Sequence, residues 1–163
     1  MGLRWSAENI LSWRSQHDRL KRWSHRLHEF GDASSFQERL DFFLAFFLNC
    51  YALRDWFINS NSISQTEMDN LIQSDEAMRS CRDICNRSKH LTLNRPASTE
   101  PNFSIARECT PSGDRFFIAY LDSIRDLFEV AMSCVKFWDD FLATYKPSEP
   151  PNPFAQESEI KHT

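Results

Sequence analysis

Apolar residues recur along this chain at the three-and-four spacing of amphipathic helices over most of its length. Ile10, Trp13, His17, Leu20, Trp23, Leu27 and Phe30 make the first stripe, with Arg and Lys on the opposite side. Ser6 as N-cap and Gly31 as a stop predict a helix over residues 7–30. The capping box Ser35-Phe-Gln-Glu38 opens a second helix that runs to about Ile58. It carries two stripes: Leu40, Phe43, Phe47, Cys50 and Phe57, and Phe42, Phe46, Leu53 and Trp56. A helix apolar on most sides belongs in the middle of a bundle. A second capping box, Ser64-Gln-Thr-Glu67, predicts a short helix to about Gln73, followed by another from Asp75 to Leu91 capped by Ser74. Its core stripe is Ala77, Met78, Cys81, Ile84, Cys85, Ser88 and Leu91.

The period then changes. Residues 94–101 have loop composition. Two short apolar runs, 103–109 and 115–121, flank the turn formers Thr110-Pro-Ser-Gly-Asp114 and predict a hairpin. Helical spacing returns from Ser123 to Tyr145 through Ile124, Leu127, Phe128, Ala131, Cys134, Val135, Trp138, Phe141 and Leu142. Lys146-Pro-Ser-Glu-Pro-Pro-Asn-Pro153 ends it. The expected architecture is mainly α: one domain over residues 1–145, an antiparallel bundle of four to five helices with a small β-hairpin before the last helix. Residues 146–163 read as a disordered Pro-rich tail.

Composition narrows what such a bundle could do. Only three glycines occur among 163 residues, which leaves no material for a phosphate-cradling loop. The net charge of -4 argues against a general nucleic-acid field. Local basic surface remains, with six Arg or Lys against three acids in residues 1–30 and five against three in residues 75–95. The longest apolar run, Phe42 to Leu48, is too short to span a bilayer, so no membrane association is expected. Met1-Gly-Leu-Arg-Trp-Ser6 has no signal-peptide core. The odd count of five cysteines, several on apolar stripes, suits reduced thiols in a cytoplasm. The sequons at Asn86 and Asn102 carry no meaning there. No Ser-His-Asp order, nucleophile elbow or His-Glu-x-x-His is present.

Chemistry concentrates in Cys81-Arg-Asp-Ile-Cys-Asn-Arg-Ser-Lys-His-Leu91. On a helical wheel Arg79, Asp83, Asn86, Arg87 and His90 share one outer face, with Arg82 and Lys89 on its flank. A His with a carboxylate one or two turns away can be held in one tautomer for acid/base work, and adjacent cations can bind a phosphate oxyanion. The same face also reads as an ordinary solvated one with i, i+4 ion pairs. Cys81 and Cys85 turn inward while His90 points nearly the other way, and no second ligand pair has metal spacing. The expectation is therefore no metal and no cofactor. His17, on an apolar stripe, reads as a core histidine.

The helical architecture and the row Asn86-Arg-Ser-Lys-His90 together resemble the HEPN superfamily. Its motif is an Arg, a polar residue, three to five further residues and a His. Here Asn86 and His90 match, and Cys85 stands where the Arg would be, with Arg82 and Lys89 within reach to supply the cation. The resemblance implies a homodimer acting as a metal-independent endoribonuclease of a toxin-antitoxin or phage-defence system, or an inactive relative of one. In that reading His90 is the catalytic acid/base, Asn86 and Asp83 orient it, and Arg82, Arg87 and Lys89 contact phosphate. The alternative is a non-catalytic module that binds a protein partner through its polar face, its basic first helix or its Pro-rich tail.

Overall fold

The computed structural model describes residues 12–29, 35–89, 103–111 and 113–147. Along them run α1 (Trp13–His28), α2 (Phe36–Asn59), α3 (Gln65–Ser74), α4 (Glu76–Lys89), β1 (Ser104–Thr110), β2 (Gly113–Ala119), β3 (Ile124–Asp126) and α5 (Leu127–Tyr145). The protein is mainly α, with a small antiparallel sheet placed before the last helix, as the periodicity predicts. The tail from residue 148 onward lies outside the described residues.

Local chemistry explains where the helices begin. The Ser35 and Ser64 side chains accept from the Glu38 and Glu67 amides, each at 3.2 Å, so both capping-box serines cap as expected. The first helix is shorter than its stripe suggests. Ser12 is extended (φ -107°, ψ 157°) and its Oγ accepts from the Ser15 amide, which starts the helix at Trp13. Ala7 to Leu11 lie outside the described residues. Asp75, not Ser74, caps α4, accepting from the Met78 amide at 2.8 Å. Ser74 is still the last residue of α3, and its hydroxyl donates to the Leu71 carbonyl at 2.7 Å. The predicted start of α5 at Ser123 is also corrected. Residues 124–126 pair with β2 as a third strand, and Asp126 then caps α5 through the Phe128 and Glu129 amides. Lys146, left-handed at φ 40°, closes α5 just before Pro147.

The sheet order is β1-β2-β3, both pairs antiparallel. The hairpin is tighter than predicted. Thr110 pairs with Gly113, whose φ of 115° is comfortable only for glycine. Phe116 and Ile118 on β2 are buried. The Phe116 ring packs on Phe36 and Phe43 of α2, both at 5.5 Å between centroids.

α2 occupies the middle, packed against α1, α4 and α5. It buries Phe43, Phe46, Phe47, Cys50, Leu53 and Phe57, residues from both of its stripes. Each such large side chain contributes about 1.5–3 kcal/mol. Trp13 meets Phe57 and Trp23 meets Phe42, so α1 and α2 run antiparallel. One stripe position is revised. Gln16 is buried in place of His17, its Nε2 donating to the Asn49 carbonyl at 3.0 Å. His17 is only partly covered and pairs with Asp139 at 3.2 Å, beside the Lys21–Asp139 ion pair. Among the described residues, no helix is long and apolar enough to cross a membrane.

Candidate functional site

α4 carries two constellations, one on each side. The polar row does not form a uniform outer face. Asp83 is 1% exposed, whereas the wheel placed it on the outer face with its row partners. The bundle covers this position, which a helical wheel cannot register because it holds no information about neighbouring elements. The Arg82 Nε lies 3.9 Å from the Asp83 Oδ1, and Arg82 also donates from Nη2 to the Gln73 Oε1 at 3.2 Å. Asn86 is half-buried, and Arg87 and Ser88 are exposed, which removes Ser88 from the core stripe. Lys89 is the last residue of the helix, and His90 lies outside the described residues. The structure thus brings Arg82 and Asp83 together, sets Asn86 one turn further on, and turns Arg87 to solvent. A buried carboxylate is costly unless donors face it, so Asp83 is held in a defined place.

The opposite side of α4 meets thiols from two other helices. Cys50 of α2, Cys81 of α4 and Cys134 of α5 place their sulfur atoms within 4.8 Å of one another, and all three are buried. The thiols are free, with no disulfide among them. Cys85 lies on the same side as Cys81, and both donate to the Phe47 carbonyl, at 3.0 and 3.5 Å respectively. Cys109, on β1, is exposed and apart from this group.

One further atom belongs to the cluster. The indole Nε1 of Trp138 is buried and has no hydrogen-bond partner among the described residues. It sits beside Cys50 and helps to lower that thiol. Burial pushes the Cys50 thiol up, but the Cys134, Cys81 and Trp138 side chains beside it together outweigh burial and leave Cys50 acidified. Burial, with sulfur contacts to its neighbours, raises Cys81 and Cys134. Three interacting thiols lose their protons in shared steps: the first comes off readily and the later ones with difficulty.

The sequence reading missed this cluster. Its three cysteines sit far apart in the chain, so no local ligand spacing could reveal them. The available signal was that three helices each carry cysteine on an apolar stripe: Cys50 on α2, Cys81 and Cys85 on α4, and Cys134 on α5.

No protein-family model, curated protein or solved structure matches the chain. Its class is that of a mainly α bundle with a small antiparallel sheet, and the reading of its function rests on these residues.

Proposed function

We propose that the protein is a HEPN-like helical bundle that acts on RNA, as a metal-independent endoribonuclease or as an inactive relative of one in a toxin-antitoxin or phage-defence system. The observation that supports this reading best is the burial of Asp83 against Arg82, one helical turn before Asn86. A carboxylate withdrawn from water is a firmer orienting group than one on a solvated face. In this reading Asp83 and Asn86 orient His90, which takes the proton from the attacking 2′-hydroxyl and later returns one to the leaving oxygen. Arg82, Arg87 and Lys89 neutralise the phosphate. A homodimer would bring two copies of the row together across its interface.

The test is cleavage of purified RNA by wild type and His90→Ala, both in excess chelator. Loss of cleavage in the variant, with an unchanged circular dichroism spectrum, supports the reading. Equal cleavage by both proteins, or none by either, overturns the catalytic role and leaves the protein-binding alternative.

A further inference from the structure

Cys50, Cys81 and Cys134 converge from three different helices on one point in the core. Buried cysteines are common as small apolar side chains, and any one of these would pass as packing. Two features go beyond packing. The three sulfur atoms are mutually close enough to share one ion: sulfur atoms about 2.3 Å from a common trigonal centre stand about 4.0 Å from one another, within the 4.8 Å observed. The second feature is the buried Trp138 N–H beside Cys50, which has no hydrogen-bond partner among the described residues. Hydrogen bonds to ligand atoms from a second layer of residues are a regular part of thiolate metal sites.

We infer that Cys50, Cys81 and Cys134 form a binding site for a soft, low-coordinate monovalent cation of the copper(I) class. The donor set decides the ion class. It contains sulfur alone, which disfavours the hard, oxygen-seeking cations magnesium and calcium. A structural zinc ion takes four ligands. Here Cys50, Cys81 and Cys134 form the group whose sulfur atoms lie mutually within 4.8 Å, and all three are fully buried away from solvent water. Three coordination suits copper(I) better than it suits zinc. The balance is simple: each thiol that becomes a ligand thiolate gives one proton to solvent, and no electron moves when copper arrives already reduced. Because all three side chains are fully buried, the ion enters during folding or through local opening of the bundle.

The experiment uses the full chain, reduced and kept free of oxygen, titrated with copper(I) against a chromophoric copper(I) chelator. The expected result is one ion retained per chain, with a sulfur-to-copper charge-transfer band and three sulfur neighbours by X-ray absorption. Cys50→Ala and Cys134→Ala lose retention, while Cys109→Ser keeps it. Circular dichroism reports whether each variant folds. If the alanine variants do not fold, the wild-type melting temperature decides: a rise of several degrees on adding copper(I) supports the site, and no rise overturns it. Retention below about half an ion per chain by wild type, or unchanged retention by a folded alanine variant, also overturns it. Displacement of the copper by equimolar zinc overturns the ion class. None of these readouts involves RNA or His90, so this site and the proposed function stand or fall separately.

Discussion

The Tyr120 hydroxyl donates to the Ser80 Oγ at 2.9 Å, and both residues are buried. This bond joins the end of the hairpin to the middle of α4, the helix that carries both candidate sites. Ser80 in turn donates to the Glu76 carbonyl at 3.2 Å, so the hydroxyls form a short relay into the helix backbone. Tyr120→Phe keeps the ring and leaves Ser80 short of one donor. The expected loss is about 1 kcal/mol of unfolding free energy. Urea denaturation followed by far-ultraviolet circular dichroism measures it. A loss within about 0.3 kcal/mol would mean that the hydroxyl is not an anchor.

Phe57 is fully buried, with its ring 5.5 Å from Trp13, 5.5 Å from Trp138 and 4.8 Å from Phe141. It is where α1, α2 and α5 share one aromatic cluster. Phe57→Ala removes the transfer free energy of the ring and leaves a cavity that three large neighbours cannot close. The expected cost is about 3–5 kcal/mol, against a clearly smaller one for Phe57→Leu, which keeps most of the apolar volume and leaves a smaller cavity. Paired denaturation curves give both values. Similar costs for the two variants would refute the cavity account.

Asp126 ends β3 and caps α5, accepting from the Phe128 and Glu129 amides at 2.8 and 3.2 Å. It also holds the Arg115 guanidinium at 2.8 Å, but that arginine is half exposed, so the ion pair adds little. The cap should dominate. Asp126→Ala is expected to cost about 1–2 kcal/mol and Asp126→Asn much less, since the amide oxygen still accepts. A difference that vanishes in high salt would instead assign the effect to Arg115.

These residues also mark how far the sequence could be read. The capping boxes at Ser35 and Ser64 are local signals, complete within four residues, and both helices begin where they predict. The hairpin was legible because Gly113 lies between two apolar runs. Asp126 was not, because Ile124 and Leu127 keep helical spacing across it while strand pairing claims residues 124–126. Tertiary pairing there overrides local period. The candidate sites divide the same way. Asn86 and Arg87 could be placed from α4 alone, whereas Asp83 depends on what covers the helix. The thiol cluster depends on three helices meeting, which no window of sequence contains.

Trp138 offers the sharpest test of that cluster, because its N–H and its bulk can be separated. Trp138→Phe removes the donor and keeps an aromatic ring in the core. Nε1 has no hydrogen-bond partner among the described residues, so the change orphans no acceptor there. The acidified Cys50 thiol, however, loses the N–H dipole beside it that helps hold it down, and its proton becomes harder to remove. Protons compete with the ion for sulfur, so copper(I) retention should fall by about 10-fold or more. The sign with pH follows. Retention by wild type strengthens as pH rises, because Cys81 and Cys134 are raised and must still be deprotonated. The deficit of the variant should be largest at acid pH and shrink as pH rises past the point where Cys50 is ionised in both proteins. Competition titrations from about pH 6 to about pH 9, spanning the ordinary thiol range, measure this. A deficit independent of pH would mean that Trp138 acts by packing alone.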